Sequence, residues 1–272
     1  MNESIRYEKA HGVATLTKTN AQYRQGMTRE VLVGLKRGLE DARDDAAIRV
    51  VVITASGDGF HEGARVVDQL RPDMTYTPME FREIVRFGQE LTRQIERLEK
   101  PVIGVAKGGA RGGGFEMLHA CDFVIAALEA RFSQPEVLFG LIAGWGGTQR
   151  APRMVAWRRA KELLLCGDEI SGEEAAELGL ITRAAPLDRV DAEVQALIAR
   201  LMKASPLAQG ATKLAMNKAW EAHLEAGLDY EMEAQAALTA YREFPAYMQA
   251  LGEGRAAEFV RHQRLTGGPD WK

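Results

Sequence analysis

The rhythm of apolar positions changes several times along the chain. Val13 to Thr17 predicts a short strand. Thr28 to Arg43 predicts an amphipathic helix, with Thr28 as N-cap and Val31, Leu32, Leu35 and Leu39 on one face. Ile48 to Thr54 is a near-continuous apolar, β-branched run, the mark of a strand covered on both sides. Met79 to Leu98 returns to helical spacing through Phe81, Ile84, Val85, Leu91, Ile95 and Leu98. Pro101 to Ala106 predicts a second buried strand, Phe115 to Ala120 a short helix, and Phe123 to Ala127 a third buried strand. Strands alternating with helices imply crossover connections and parallel pairing, an α/β fold.

After Met154 the strand signals stop. Arg158 to Leu165, Glu173 to Leu178, Val190 to Lys203, Pro206 to His223 and Leu228 to Arg242 all have helical patterns, and Ser171 with Glu174 has the spacing of a capping box. A boundary at Ala204-Ser205-Pro206 divides the chain into residues 1–204 and a helical segment 205–272. No internal repeat or low-complexity tract is present.

Composition adds limits. In 272 residues, 46% are hydrophobic and 27% charged, enough to bury a substantial core. The net charge of −3 gives no support to a nucleic-acid-binding role. Two cysteines, Cys121 and Cys166, make no disulfide framework, and the first nine residues lack the apolar segment of a secretory signal. No apolar run approaches the roughly 18 residues of a membrane span. Together these point to a cytoplasmic protein.

Most chemical signatures are missing. There is no phosphate-binding Gly-x-x-x-x-Gly-Lys-Ser/Thr, no dinucleotide fingerprint after the first strand, no Gly-x-Ser-x-Gly, no His-Glu-x-x-His and no Cys-x-x-Cys. What remains is Gly112-Gly113-Gly114 between strand 101–106 and the following helix. Glycines there let the backbone approach a ligand closely, and a helix start offers free N–H groups to an anion or a developing oxyanion. Glu116 lies one turn into that helix, in an otherwise apolar stretch. A second carboxylate, Glu136, stands in Phe132-Ser133-Gln134-Pro135-Glu136 before a glycine-rich segment that runs to Arg150. Two carboxylates at a water-excluding site can divide general-base and general-acid work. Taken singly, the bland alternatives hold: tight helix–strand packing for the glycines, a solvated Glu116, and a loop-capping Glu136.

Taken together and in order, these segments resemble the crotonase, or enoyl-CoA hydratase/isomerase, superfamily. The likeness rests on Lys100-Pro101-Val102-Ile103-Gly104-Val105, Gly112-Gly113-Gly114-Phe115-Glu116, Cys121-Asp122, Phe132 to Glu136, Gly146-Gly147-Thr148-Gln149-Arg150, Ser171 to Ala175 and Gly179-Leu180-Ile181. It implies a spiral of repeated ββα units over residues 1–204, capped by a C-terminal helical trimerisation region, 205–272. It implies an acyl-CoA thioester as ligand, no metal or redox cofactor, and self-association as a homotrimer or hexamer.

By the resemblance, the thioester oxygen is held by two backbone N–H groups, of Gly113 and of Ala64 in Gly59-Phe60-His61-Glu62-Gly63-Ala64-Arg65. Hydratases of the family use two glutamates, and both positions are Glu here. Glu116 would orient and deprotonate water, and Glu136 would give a proton to Cα. Members doing only isomerisation, dehalogenation or hydrolysis usually keep one or neither. Substrate and CoA contacts fall on Ala21, Tyr23, His61, Gly63, Arg65, Gly112 and Trp145.

The chain departs from the family pattern at several of these. Ala21 and Tyr23 lie in a segment without the usual Pro and Asn. His61, Glu62 and Arg65 replace small residues and an Asp; His61 and Glu62 read first as facing solvent or the adenine end of CoA, and Arg65 as a partner for a CoA phosphate. Trp145 replaces a small residue, and either narrows the acyl pocket or belongs to the core. The reading is an enoyl-CoA hydratase-like enzyme. The alternatives are an aromatic acyl-CoA hydratase-lyase, an enoyl-CoA isomerase, a C–C hydrolase, or a non-catalytic RNA-binding or scaffold member.

Overall fold

The computed structural model describes residues 4–20, 26–57, 60, 76–257 and 259. The buried apolar runs make one sheet. In chain order its strands are β1 (Ile5–Ala10), β2 (Val13–Lys18), β3 (Val50–Ala55), β4 (Val102–Ala106), β6 (Phe123–Ala127) and β9 (Arg183–Ala185), and they lie side by side in that order. β1 pairs antiparallel with β2, and every later neighbour is parallel. A second sheet holds β5 (Ala110–Arg111), β7 (Arg131–Ser133) and β8 (Ile170–Ser171), with β5 parallel and β8 antiparallel to β7.

The two sheets grow in step. β4 and β5 precede α3 (Gly113–Ala120), and β6 and β7 precede a 3₁₀ turn (Pro135–Phe139), α4 (Gly147–Met154) and α5 (Trp157–Cys166). In these two turns the chain adds a long strand to one sheet and a short strand to the other, then a helix or helical turn. This is the spiral of ββα units in physical form.

α1 (Arg29–Asp44) begins at Thr28, whose side chain accepts from the Val31 N–H, and it buries Val31, Leu32, Leu35 and Leu39. α2 (Pro78–Arg97) opens with a complete capping box between Thr77 and Glu80. The box expected at Ser171 is only half made. Ser171 Oγ accepts from the Glu174 N–H at 3.1 Å, but the Glu174 carboxylate turns to Arg159.

The expectation of no strands after Met154 is corrected by β8 and β9, of two and three residues. Strands so short carry no periodicity, and β9 lies within helix-rich sequence. α6 (Gly172–Glu177) and α7 (Val190–Leu201) fall where expected. α8 (Pro206–Lys218) ends earlier than its pattern, α9 is Leu224–Leu238 rather than 228–242, and α10 (Glu243–Gly252) was not anticipated.

α8 docks on the rest through a buried lysine. Lys213 Nζ donates to Asp122 Oδ2 at 2.7 Å and to the carbonyls of Ile95 (2.9 Å) and Lys100 (3.2 Å). Asp122 also takes the Val102 N–H at 2.7 Å, so one carboxylate joins the start of β4 to α8. Among the described residues no helix is long and apolar enough to cross a membrane.

Candidate active site

The site is built where α3 starts. Gly112 adopts φ +53°, a conformation L side chains rarely take, and its N–H donates to the Ser133 carbonyl at 3.0 Å. Its own carbonyl accepts from the Phe115 and Glu116 N–H groups at 2.9 and 3.0 Å, which closes the first helical turn. Gly113 is the first helical residue, so its N–H has no intrahelical acceptor and lies at the positive end of the helix.

One turn on, Glu116 is 2% exposed. Its Oε1 accepts from the N–H groups of Trp145 and Gly147, both at 2.7 Å. Burial pushes its pKa up to about 7, and the charge of Glu136 adds to the rise; the Gly147 and Trp145 N–H groups and the Arg150 guanidinium oppose it. A carboxyl poised near neutrality can hold or release a proton under working conditions.

Glu136, on the 3₁₀ turn, reaches back to the same place. A Cβ on Gly112 would come within 2.9 Å of its Oε1. Its Oε2 is buried and accepts no hydrogen bond among the described residues. Beside it is a cavity of about 250 Å³ with mainly apolar walls, among them Val137, Leu141, Ile142 and Leu164. Burial raises the Glu136 pKa, and its own N–H opposes. The two carboxyls are therefore gathered at the start of α3, and both are shifted toward the protonated form.

Trp145 resolves toward the core. It is 5% exposed, and its indole lies between α2 and α3: a Cβ on Gly88 would sit 2.0 Å from Cε2, and one on Gly113 2.6 Å from Cε3 and Cζ3. It packs under Gly113 and donates its N–H to Glu116, and it also lines a cavity of about 670 Å³ between α2 and α8. Gly112, Gly113, Glu116, Glu136 and Trp145 are all brought together. Ala21, Tyr23, His61, Gly63, Ala64 and Arg65 lie outside the described residues.

Phe60, just before that last segment, is buried, and it reveals a residue the sequence did not flag. Lys18, fully buried at the end of β2, donates its Nζ to the Phe60 carbonyl and lies 4.1 Å from the centre of the Phe60 ring. Burial lowers the Lys18 pKa to about 7. His119 is a core residue as expected. Its ring lies 4.2 Å from that of Phe115, and burial lowers its pKa to about 3.

Sequence reading also passed over four residues behind the Glu116 ligands: Gln89, Thr92 and Glu96 of α2, and Arg150 of α4. The available signal was polar side chains at helical spacing beside Gly88, on a helix whose other inward residues are apolar. Among the described residues no group of three His, Cys, Asp or Glu side chains is placed to hold a metal ion.

The profile of the enoyl-CoA hydratase/isomerase family matches residues 8–262. A crotonyl-CoA hydratase of Syntrophomonas wolfei is 34% identical over 259 residues, covering 95% of this chain and 98% of that protein. A 2,3-dehydroadipyl-CoA hydratase of Escherichia coli is 31% identical, covering 91% and 94%. The crystal structure of an enoyl-CoA hydratase from Bacillus anthracis superposes with a TM-score of 0.88 at 28% identity, covering 95% of this chain and 99% of that one. Sequence match and fold agree, and the chain belongs to the enoyl-CoA hydratase/isomerase family of the crotonase superfamily.

Proposed function

We propose that this hydro-lyase adds water across the 2,3 double bond of a 2-enoyl-CoA to give a 3-hydroxyacyl-CoA. The observation that carries the reading is the pair of glutamates, Glu116 and Glu136, gathered at the start of α3. The names of the relatives, hydratases of crotonyl-CoA and 2,3-dehydroadipyl-CoA, support the same reaction type.

In the proposed scheme the thioester oxygen accepts from the N–H groups of Gly113 and Ala64, which makes Cβ electrophilic and stabilises the enolate. Ionised Glu116 takes a proton from water as the oxygen bonds to Cβ. Both N–H bonds to Glu116 end on Oε1, which leaves Oε2 for this proton. The electron pair of the double bond moves onto Cα and the thioester oxygen. Protonated Glu136 then delivers its proton to Cα, and the two carboxyls re-equilibrate through solvent before the next turnover. The raised pKa of Glu136 suits a donor, and that of Glu116 suits a base ionised in the upper half of the neutral range.

CoA enters as part of the substrate, and the scheme calls on no other cofactor. Ala21, Tyr23, His61, Gly63 and Arg65 are assigned to the CoA-facing side, with Gly112 at the thioester. Residues 1–204 carry the site and 205–272 self-association, as a homotrimer or hexamer. Exposed Leu228 and Met232 of α9, and Phe244, Tyr247, Met248 and Leu251 of α10, offer an apolar face for a second copy of the chain.

The test is a panel of 2-enoyl-CoA thioesters followed by loss of enoyl absorbance and by mass gain of one water. Crotonyl-CoA is expected to be hydrated. Isomerisation without hydration would overturn the reading.

A further inference from the structure

Helix α2 turns a row of polar groups toward the site. Gln89, Thr92 and Glu96 follow one another at three- and four-residue steps, and Gly88 lies four residues before Thr92 on the same side of the helix. Their partners all lie in one short turn, Gly144 to Gly147, or on the arginine beneath it. Gln89 Nε2 donates to the Gly144 carbonyl at 2.8 Å. Thr92 Oγ1 lies 3.2 Å from the Trp145 carbonyl as well as 3.0 Å from that of Gln89. Glu96 receives Arg150 along one edge of the guanidinium, Nε to Oε1 at 2.6 Å and Nη2 to Oε2 at 2.8 Å. The remaining nitrogen, Nη1, donates to the Trp145 carbonyl at 2.8 Å. Gly146, at φ +121°, makes room: a Cβ there would sit 1.9 Å from Nη1.

The other side of this turn is what Glu116 sees. Its peptide carbonyls are held from α2 and Arg150, while its N–H groups, at Trp145 and Gly147, converge on Glu116 Oε1. A carboxylate aimed by two peptide N–H groups is only as well aimed as the peptides. A two-toothed Arg–carboxylate fork is the stiffest polar clamp available from side chains.

We propose that Arg150, locked by Glu96, is a positioning residue for Glu116: by gripping the Trp145 carbonyl it fixes the turn whose N–H groups aim the Glu116 carboxylate. The inference rests on the hydration reading for its kinetic consequence, but not for its structural one. The charged groups acting on Glu116 are Glu136 from the 3₁₀ turn and Arg150 from α4, with Glu96 of α2 paired to Arg150. Both N–H bonds and the Arg150 charge favour the ionised carboxylate against burial. Loosening the turn therefore moves Glu116 further toward the protonated form.

The experiment compares Arg150→Met, Arg150→Lys and Glu96→Gln with the parent protein. It reads kcat and KM for crotonyl-CoA across neutral pH, and the titration of the Glu116 carboxyl by infrared difference, with Glu116→Gln as the blank. Arg150→Met is expected to lower kcat roughly 10- to 100-fold with KM nearly unchanged. The acid limb of the pH profile and the infrared titration should both move to higher pH, with Arg150→Lys recovering part of each loss. A mere pin between α4 and α2 would cost stability but leave kcat at the parent value in the folded variants, and would leave the Glu116 titration at its parent value in Arg150→Lys, which keeps the charge that acts on Glu116 directly; that result overturns the proposal. Should Arg150→Met fail to fold, Arg150→Lys and Glu96→Gln decide in the same way. A parent protein that hydrates no enoyl-CoA overturns the proposed function, and the infrared titration still decides the role of Arg150.

Discussion

The indole of Trp145 lies so close to the α carbon of Gly113 that a Cβ there would come within 2.6 Å of two ring carbons. Gly88 bounds the ring at still shorter range, where a Cβ would sit 2.0 Å from Cε2. Gly113→Ala is therefore expected to lift the start of α3 off the indole. Overpacking of this kind costs about 1–3 kcal/mol. If the Gly113 N–H holds the thioester oxygen, its displacement adds a loss in kcat of up to roughly 10²–10³. Thermal melting and single-substrate kinetics check the two parts. A Gly113→Ala protein that melts and turns over like the parent would remove both the packing argument and the donor assignment.

The two glutamates should behave as a unit. If both act on one water and one substrate, as proposed, Glu116→Gln and Glu136→Gln are each expected to remove most hydration, by roughly 10²–10⁴-fold. The double variant should be little worse than either single. An isomerase needs only one shuttling base, and one replacement would then be nearly silent. Measuring hydration and 2-enoyl/3-enoyl isomerisation on the same three variants separates the cases.

Stability should also report Glu116. Its folded-state pKa, about 7, lies above the ordinary value of 4.5. The native state thus holds the proton more tightly than the unfolded chain, and stability is greatest below the lower value and falls as pH rises through that window. Glu116→Gln cannot ionise. It is expected to be more stable than the parent by about 3 kcal/mol above the window and to lose that advantage below it. Urea unfolding at acid and alkaline pH makes the comparison, and the crossing of a gain in stability with a loss of turnover would mark a group kept for chemistry.

Lys18 gives the opposite slope. Burial lowers its pKa from 10.5 to about 7, so the native state releases its proton first. Stability is expected to rise with pH between these values and to be lost as pH falls toward the lower one. Lys18→Met should flatten that rise, by an amount on the order of a few kcal/mol. Unfolding curves across the window that keep the parent slope would assign the pH dependence to other groups.

What could be read in the sequence follows from the range of the interactions. β3, β4 and β6 are buried on both faces, so their apolar runs announce them. Thr28 and the face of α1 are local features and were equally legible. β1 was missed because Ile5–Ala10 mixes one buried residue with exposed charges, as an edge strand does. β8 and β9 exist only because neighbouring strands receive them.

The site divides the same way. Gly112, Gly113, Glu116 and Glu136 stand in motifs whose order survives in the linear chain. Arg150 and Glu96 are 54 positions apart, and Lys18 and Phe60 are 42 apart; such pairings are a property of the folded sheet and helices. Trp145 shows the limit of composition. In the sequence this ring reads as pocket or core alike, and its close packing against Gly88 and Gly113 is visible only in the fold.

The lysine of α8 bears on how the protein comes into being. Lys213 donates to two carbonyls and to the Asp122 carboxylate at the foot of β4. In the order of synthesis the Asp122 carboxylate precedes its cation, Lys213, by 91 residues. Completion waits for the last quarter of the chain. A fragment stopped at the Ala204–Pro206 junction would keep every glutamate and glycine of the site, yet lack the counter-charge that lets β4, and with it the start of α3, settle. The helical segment that reads as an appendage is in this sense the final step of the active site's own assembly.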